Sequence, residues 1–424
     1  MFEYFPGNYV WNLSVVAALN SGGYIDEVDR ACRPIREAAN RGEDAGTDEF
    51  LASWTAVVDA LVIAADTDRD AGHTDSAGHA YARAANYLIH AERMQSPQTP
   101  DRNAIYRRVL DLVQRCFDLV DPQTSRVAIP FRDTTLPAYF TRPDIDGPVP
   151  CMIMWNGLDS TKEHMYLSGF AKELAHRGIA TLMVDCPGSG EALRLQGLTA
   201  QIDTEEWAAA CVDHLETVAG IAVDRLGLVG WSLGGYYVPR AAAFEKRLAL
   251  CVAWGANYDG GKVQRRRVER ESERPVPHYW NHVMWVWGET DLDTFLAHAD
   301  GVTLDGIVEQ SPSRFSSHTG RTTVRFRWNM PIAPTNRPSP ARNANCGSSP
   351  PARAAPNTSV STICPWSAPS PQIGSATPSP NFPSARRALS SRADRIRAGH
   401  RGHGGATVAL RTGRVRRPDT GGNS

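Results

Sequence analysis

The spacing of apolar positions changes character once along this chain. Up to about residue 121 they recur close to every 3.6 residues. Val10, Leu13, Val16, Ala17 and Leu19 make the first run, Leu51, Trp54, Val58, Leu61 and Val62 the second, and Ala77, Tyr81, Ala84, Ala85, Leu88 and Ala91 the third, with the pattern repeated over 105–120. These runs predict amphipathic helices whose aromatic stripe packs helix against helix rather than around a ligand.

From Val127 the apolar runs become short and closely spaced. Residues 127–131 and 136–140 read as a strand pair across the polar turn 132–135. Residues 150–155, 179–184, 225–230 and 248–254 read as further strands, the first of these buried on both faces. Helices are predicted between them: over 166–177, stopped by Gly178; after a capping box at Asp203 and Glu206, with Trp207, Cys211, Leu215 and Val218 inward; and over 235–243. Strands alternating with helices predict an α/β fold with a mostly parallel sheet. The expected organisation is a helical domain over 1–121, an α/β core over 122–310 with a helical insertion near 264–300, and a distinct tail over 311–424.

Within that pattern, Gly230-Trp231-Ser232-Leu233-Gly234 lies between a predicted strand and a predicted helix. This is the setting of a nucleophile elbow, where a serine on a tight turn projects its hydroxyl above the sheet and small residues must flank it. The N–H of Leu233 would then face the developing oxyanion. The run N-G-L-D-S-T-K-E at 156–163 follows the third strand, where a second oxyanion donor is expected, and Gly157 or Leu158 is the candidate. The run D-C-P-G-S-G-E at 185–191 follows the fourth strand; it has no G-K-[ST], so it reads as a structural loop beside the site.

Composition sharpens the boundary near Gln310. Of the charged residues after it, 17 are Arg, none is Lys or Glu, and only Asp394 and Asp419 are acidic, a net of +15. The preceding part carries 28 basic and 44 acidic residues, a net of −16 within a chain of 424. At face value this is an acidic globular body with a basic, disordered tail of the kind that binds nucleic acid or anionic surfaces. An Arg-, Pro- and Ser-rich stretch without Lys or Glu is also what a GC-rich gene yields out of frame, and that is the reading adopted. Codons permitted for 311–330, read one base earlier, give a strand-like run and then H-G-E-D-D; those for 351–366 permit A-E-H-I. The eight cysteines stand singly, without a C-x-x-C pair, so no zinc site or disulfide framework is indicated. No leader and no apolar run of membrane-spanning length are read, so a soluble cytoplasmic protein is the expectation, without membrane or nucleic-acid partners.

The three runs at 156–163, 185–191 and 230–235 together resemble the α/β-hydrolases that carry an N-terminal helical cap domain. That group includes 2,6-dihydroxypseudooxynicotine hydrolase and esterases similar to the fermentation-respiration switch protein. The resemblance implies a Ser-Asp-His triad without metal or cofactor, and hydrolysis of a carbon–carbon bond next to a ketone, or of an ester, in a small-molecule substrate. It also implies that the intact protein can be a homodimer. Ser232 matches the nucleophile, and Leu233 with Gly157 and Leu158 matches the oxyanion hole. The family's acid and histidine segments follow its seventh and eighth strands; here they occur only in the shifted frame, so the chain as written is expected to be impaired. Asp259, just past the sixth strand, is the in-frame candidate for the acid, while His278, His282 and His298 read as surface or packing residues. Arg265, Arg266 and Arg267 read as a solvated helix face. Two other readings stay open: a non-catalytic protein whose basic tail binds nucleic acid or a partner, and an active esterase with a rearranged triad.

Overall fold

A computed structural model of the chain describes residues 2–41, 48–158, 160–255, 257–270, 278–307 and 310, and the backbone of 315–316 and 324–326. All of these fall in one compact unit, residues 1–337. The remainder of the expected tail lies outside the described residues.

The N-terminal part is helical, as its periodicity requires. Helices α1 (Tyr9–Asn20), α2 (Ile25–Cys32), α3 (Arg36–Asn40), α4 (Asp48–Asp70), α5 (Thr74–Arg93) and α6 (Arg102–Val120) follow one another, with a 3-10 turn at Arg33–Ile35. The buried stripe of α4 is Phe50, Trp54, Val58, Leu61 and Ala65, one residue per turn. An aromatic chain runs through this layer, Phe5 on Trp11, Trp11 on Phe50 and Phe50 on Trp54, with ring centroids 5.0–5.4 Å apart. Each such ring taken out of water contributes roughly 2–3 kcal/mol. At 23 residues α4 is long and apolar enough to cross a membrane by length and composition, contrary to the expectation that no run would be; its stripe is covered by the helical layer.

The second part is a sheet with strands β1 (Thr124–Phe131), β2 (Thr134–Thr141), β3 (Val149–Trp155), β4 (Ala180–Val184), β5 (Ile221–Trp231) and β6 (Leu248–Trp254). Their spatial order is β1-β2-β4-β3-β5-β6. The hairpin β1–β2 is antiparallel and joins β4 antiparallel, whereas β4, β3, β5 and β6 are mutually parallel. Side chains alternate across the sheet: Ile153 and Trp155 enter the core on one face, and Met154, Met183 and Val229 enter the core shared with the helical layer on the other.

Four local features depart from expectation. The helix read over 166–177 is two, α7 (Lys162–Leu167) and α8 (Phe170–Ala175), broken at Gly169 with φ +76°. After α9 (Gly190–Arg194), the capping box at the start of α10 (Thr204–Thr217) does not form, because Arg240 takes the Asp203 carboxylate at 2.7 Å and Arg132 takes Glu206. β5 begins four residues earlier than read. Finally, two short strands stand where none was expected: β7 (Phe315–Ser316) and β8 (Val324–Phe326), with β8 antiparallel to β6 at Cys251–Ala253. An open strand edge offers unpaired backbone groups, and this pairing covers three residues of it.

Candidate active site

β5 is buried over its last five residues before Trp231 and delivers Ser232 at its C-terminal end. Ser232 has φ +54°, in the left-handed region that a side chain enters only under constraint. The constraint is visible. Its N–H donates to Trp254 O at 2.8 Å on neighbouring β6, and its carbonyl accepts from Gly235 N at 2.8 Å as α11 (Gly234–Phe244) begins. The turn is so tight that a β-carbon on Gly230 would lie 2.4 Å from the carbonyl oxygen of Gly234. Ser232 itself stays exposed.

Gly157 and Leu158 come to the same place from the end of β3. A β-carbon on Gly157 would lie 2.6 Å from Ser232 Cβ and 3.0 Å from Leu233 N, so only glycine permits this approach. Ser232, Leu233, Gly157 and Leu158 are thus brought together. The N–H of Leu233 stands at the start of α11, where the helix presents the positive end of its dipole.

Asp259 is taken by a lysine. It precedes α12 (Gly260–Arg270), where it accepts from Lys262 N at 2.8 Å and pairs with Lys262 Nζ at 2.7 Å. Burial pushes its carboxyl up, but the Lys262 hydrogen bonds and charge outweigh this and hold it below the usual carboxylate range. His278 precedes α13 (Tyr279–Trp287) with φ +49°, His282 is buried within that helix, and His298 in α14 (Leu292–Asp300) meets Glu289 Oε1 at 2.8 Å. His282 therefore fits the packing role and not the surface. Among the described residues no histidine is hydrogen-bonded to Ser232 or Asp259.

The loops after β3 and β4 are locked by a network the sequence reading missed. Lys162 is fully buried, with its ammonium 2.7 Å from Glu163, 3.0 Å from Asp185 and 2.9 Å from Glu191. Asp185 also accepts from Lys162 N at 2.7 Å, Glu191 N at 2.8 Å and Asn156 Nδ2 at 3.3 Å. Tyr106 of the helical layer donates to Glu163 at 2.7 Å. Burial alone would lower the Lys162 pKa, yet the three carboxylates raise it. Burial, with Glu163 nearby, pushes Asp185 up to about 6 against the pull of Lys162. The runs at 156–163 and 185–191 therefore fix the backbone that carries Gly157. The available signal was five charged side chains, four of them in the network, in two otherwise small-residue loops.

A second buried ion group ties the helical layer to the core. Glu92 accepts from Arg102 Nε at 2.7 Å and from Arg194 Nε and Nη2 at 2.7 and 2.9 Å. Both guanidiniums lie over Trp285, at 4.8 and 5.7 Å from its ring centre. Burial raises the Glu92 carboxyl, but the two arginines outweigh it and bring it to about 2.

Ser232 opens on a cavity of about 90 Å³ whose wall mixes apolar side chains, among them Leu158, Leu233, Val263 and Val283, with the polar Asn257 and Gln264. Arg267 also lines it, which corrects the expectation that all three consecutive arginines face solvent: Arg265 and Arg266 are exposed and Arg267 turns inward. A larger groove of about 590 Å³ lies between α5, α6 and α8 and shares no lining residue with the Ser232 cavity.

Comparison with known proteins adds the following. Residues 111–287 match the family described as FrsA-like esterases. The chain is 34% identical over 194 residues to a 2,6-dihydropseudooxynicotine hydrolase of Paenarthrobacter nicotinovorans, a match covering 44% of this chain and 50% of that protein. It is 30% identical to the hydrolase acrC of Aspergillus aculeatus over 63% of this chain and 66% of the relative. The chain thus spans between half and two thirds of the length of these two relatives. Among solved structures, a 2,6-dihydroxy-pseudo-oxynicotine hydrolase superposes with a TM-score of 0.56 at 25% identity, covering 69% of this chain and 77% of that one.

Proposed function

We propose that this chain, an α/β-hydrolase with an N-terminal helical layer, derives from a serine hydrolase that cleaves an ester, or a carbon–carbon bond next to a ketone, in a small organic substrate. The observation that carries the reading is the meeting of Ser232, at φ +54°, with Gly157 at the mouth of a cavity. In this reading Ser232 Oγ attacks the substrate carbonyl carbon. The N–H groups of Leu233 and of Gly157 or Leu158 hold the oxyanion, each contributing about 3 kcal/mol to transition-state stabilisation. A histidine would take the serine proton and pass it to the leaving group, oriented by a carboxylate. The relatives acting on a pseudooxynicotine support the carbon–carbon alternative, and the FrsA-like match supports the ester.

The histidine and acid belong, in this proposal, to the segments legible only one base earlier than the present frame after Gln310. The chain as translated then holds a nucleophile without a base, and loss of a triad base costs on the order of a millionfold in turnover. Two measurements test this. The nucleotide sequence across the Gln310 codon should show the missing base against related genes. Inserting one base there should give a protein labelled by a serine-directed phosphonate, with labelling lost in Ser232→Ala, whereas the unrepaired chain should not label. Normal ester turnover by the unrepaired chain would overturn the frameshift account and direct attention to an in-frame triad.

A further inference from the structure

We infer that the Ser232 cavity takes a substrate bearing a carboxylate, and that Arg267 is the residue that selects it. This rests on the reading of Ser232 as nucleophile and goes beyond it by naming the substrate class.

Three observations converge on Arg267. It lines the same cavity as Ser232, from the inner face of α12. Its guanidinium lies over the Tyr279 ring at 4.9 Å, and Tyr279 is itself held by donating to Gln264 Oε1 at 2.9 Å, so the cation rests on a fixed platform. Its Nη1 is buried and has no hydrogen-bond partner among the described residues.

Its neighbours on the helix differ. Lys262 pairs with Asp259 at 2.7 Å, and Arg265 pairs with Asp300. Arg267 has no such carboxylate among the described residues and, half-buried, lines the cavity.

A buried guanidinium N–H without an acceptor is unfavourable, and a carboxylate is the acceptor whose two oxygens match the guanidinium fork. Leu158, Leu233, Val263 and Val283 line the same cavity and lower the local dielectric around that pairing, which strengthens it. The reacting carbonyl then sits at Ser232 and the carboxylate at Arg267. Keto acids and half-esters of dicarboxylic acids have this layout.

The test is binding of phenylacetate and of phenylacetamide to the full-length chain by isothermal titration. The two probes share a shape and differ in charge, and neither needs a catalytic base. Phenylacetate is expected to bind at least about tenfold more tightly than the amide. Arg267→Gln should bring phenylacetate down to the amide's affinity while leaving the amide unchanged, which also shows that the cavity survives; Arg267→Lys should recover part of the difference. Arg265→Gln, on the outer face of the helix, should change neither.

Equal affinities for acid and amide, no effect of Arg267→Gln, an equal effect of Arg265→Gln, or no binding of phenylacetate would each overturn the inference. A repaired chain that labels at Ser232 yet ignores phenylacetate leaves the hydrolase reading in place and removes this one. Phenylacetate bound through Arg267 in a repaired chain that never labels does the reverse.

Discussion

A β-carbon placed on Gly157 would lie 2.6 Å from the β-carbon of Ser232. Two loops from neighbouring parallel strands therefore touch with no side chain between them, and their spacing is set by backbone alone. Gly157→Ala should force them apart, at a cost of about 2 kcal/mol. The measurement is the urea midpoint of the variant, and an unchanged midpoint would mean that the loops yield without cost.

The turn that carries Ser232 stores strain. Ser232→Gly should release the left-handed penalty and raise stability by up to roughly 1 kcal/mol, after allowing for glycine's greater freedom when unfolded. Ser232→Ala keeps the β-carbon and should bring no such gain. Equal stabilities for the two variants would show that the turn is relaxed.

Lys162 sits among three carboxylates and is fully buried. Lys162→Met should cost about 3–5 kcal/mol, because it leaves Glu163 and Asp185 without their cation while Glu191 keeps Arg126. Adding Asp185→Asn to it should recover part of the loss, and a double-mutant cycle in urea gives the coupling. Strict additivity would contradict the network.

His282 is 1% exposed, and burial, with Arg102, Arg194 and Arg93 near it, holds its pKa well below the ordinary 6.5. His90 shifts in the same direction by burial, His164 and Arg93. The folded chain thus refuses protons that the unfolded chain accepts near pH 6.5. Their contribution is present above that pH and is lost as pH falls through it, by up to about 1.4 kcal/mol per pH unit for each group. His282→Gln should therefore lose less thermal stability than the parent between pH 7.5 and pH 5. Parallel losses would show that His282 takes up a proton in the folded state.

The fold was legible where one period dominates. The repeat of Phe50, Trp54 and Val58 exposes α4, and the short runs ending at Trp155 and Trp254 expose β3 and β6. The elbow was legible because Gly230 is demanded by a contact inside the turn, against the Gly234 carbonyl, although Gly234 and Gly235 answer to the more distant backbone of Asn156 and Gly255. The Lys162 network was not, since its partners are chosen by the order β2-β4-β3-β5, which brings residues 162 and 185 together across two strands. Nor was the inward turn of Arg267, because three consecutive arginines read alike until the helix is docked. The box at Asp203 failed through a competitor, Arg240, that no local pattern announces.

The pairing of Glu92 with Arg194 reaches across 102 positions of chain and joins the helical layer to the sheet. An appended module can be shed when its seam is a loose apolar contact, since the parent surface merely becomes greasier. Here excision of the first six helices would remove Glu92 and Arg102 and leave Arg194 in a site shaped for a counter-ion that has gone. The layer and the sheet therefore behave as a single inheritance: shortening such a protein from its front requires a compensating change at position 194 in the same step.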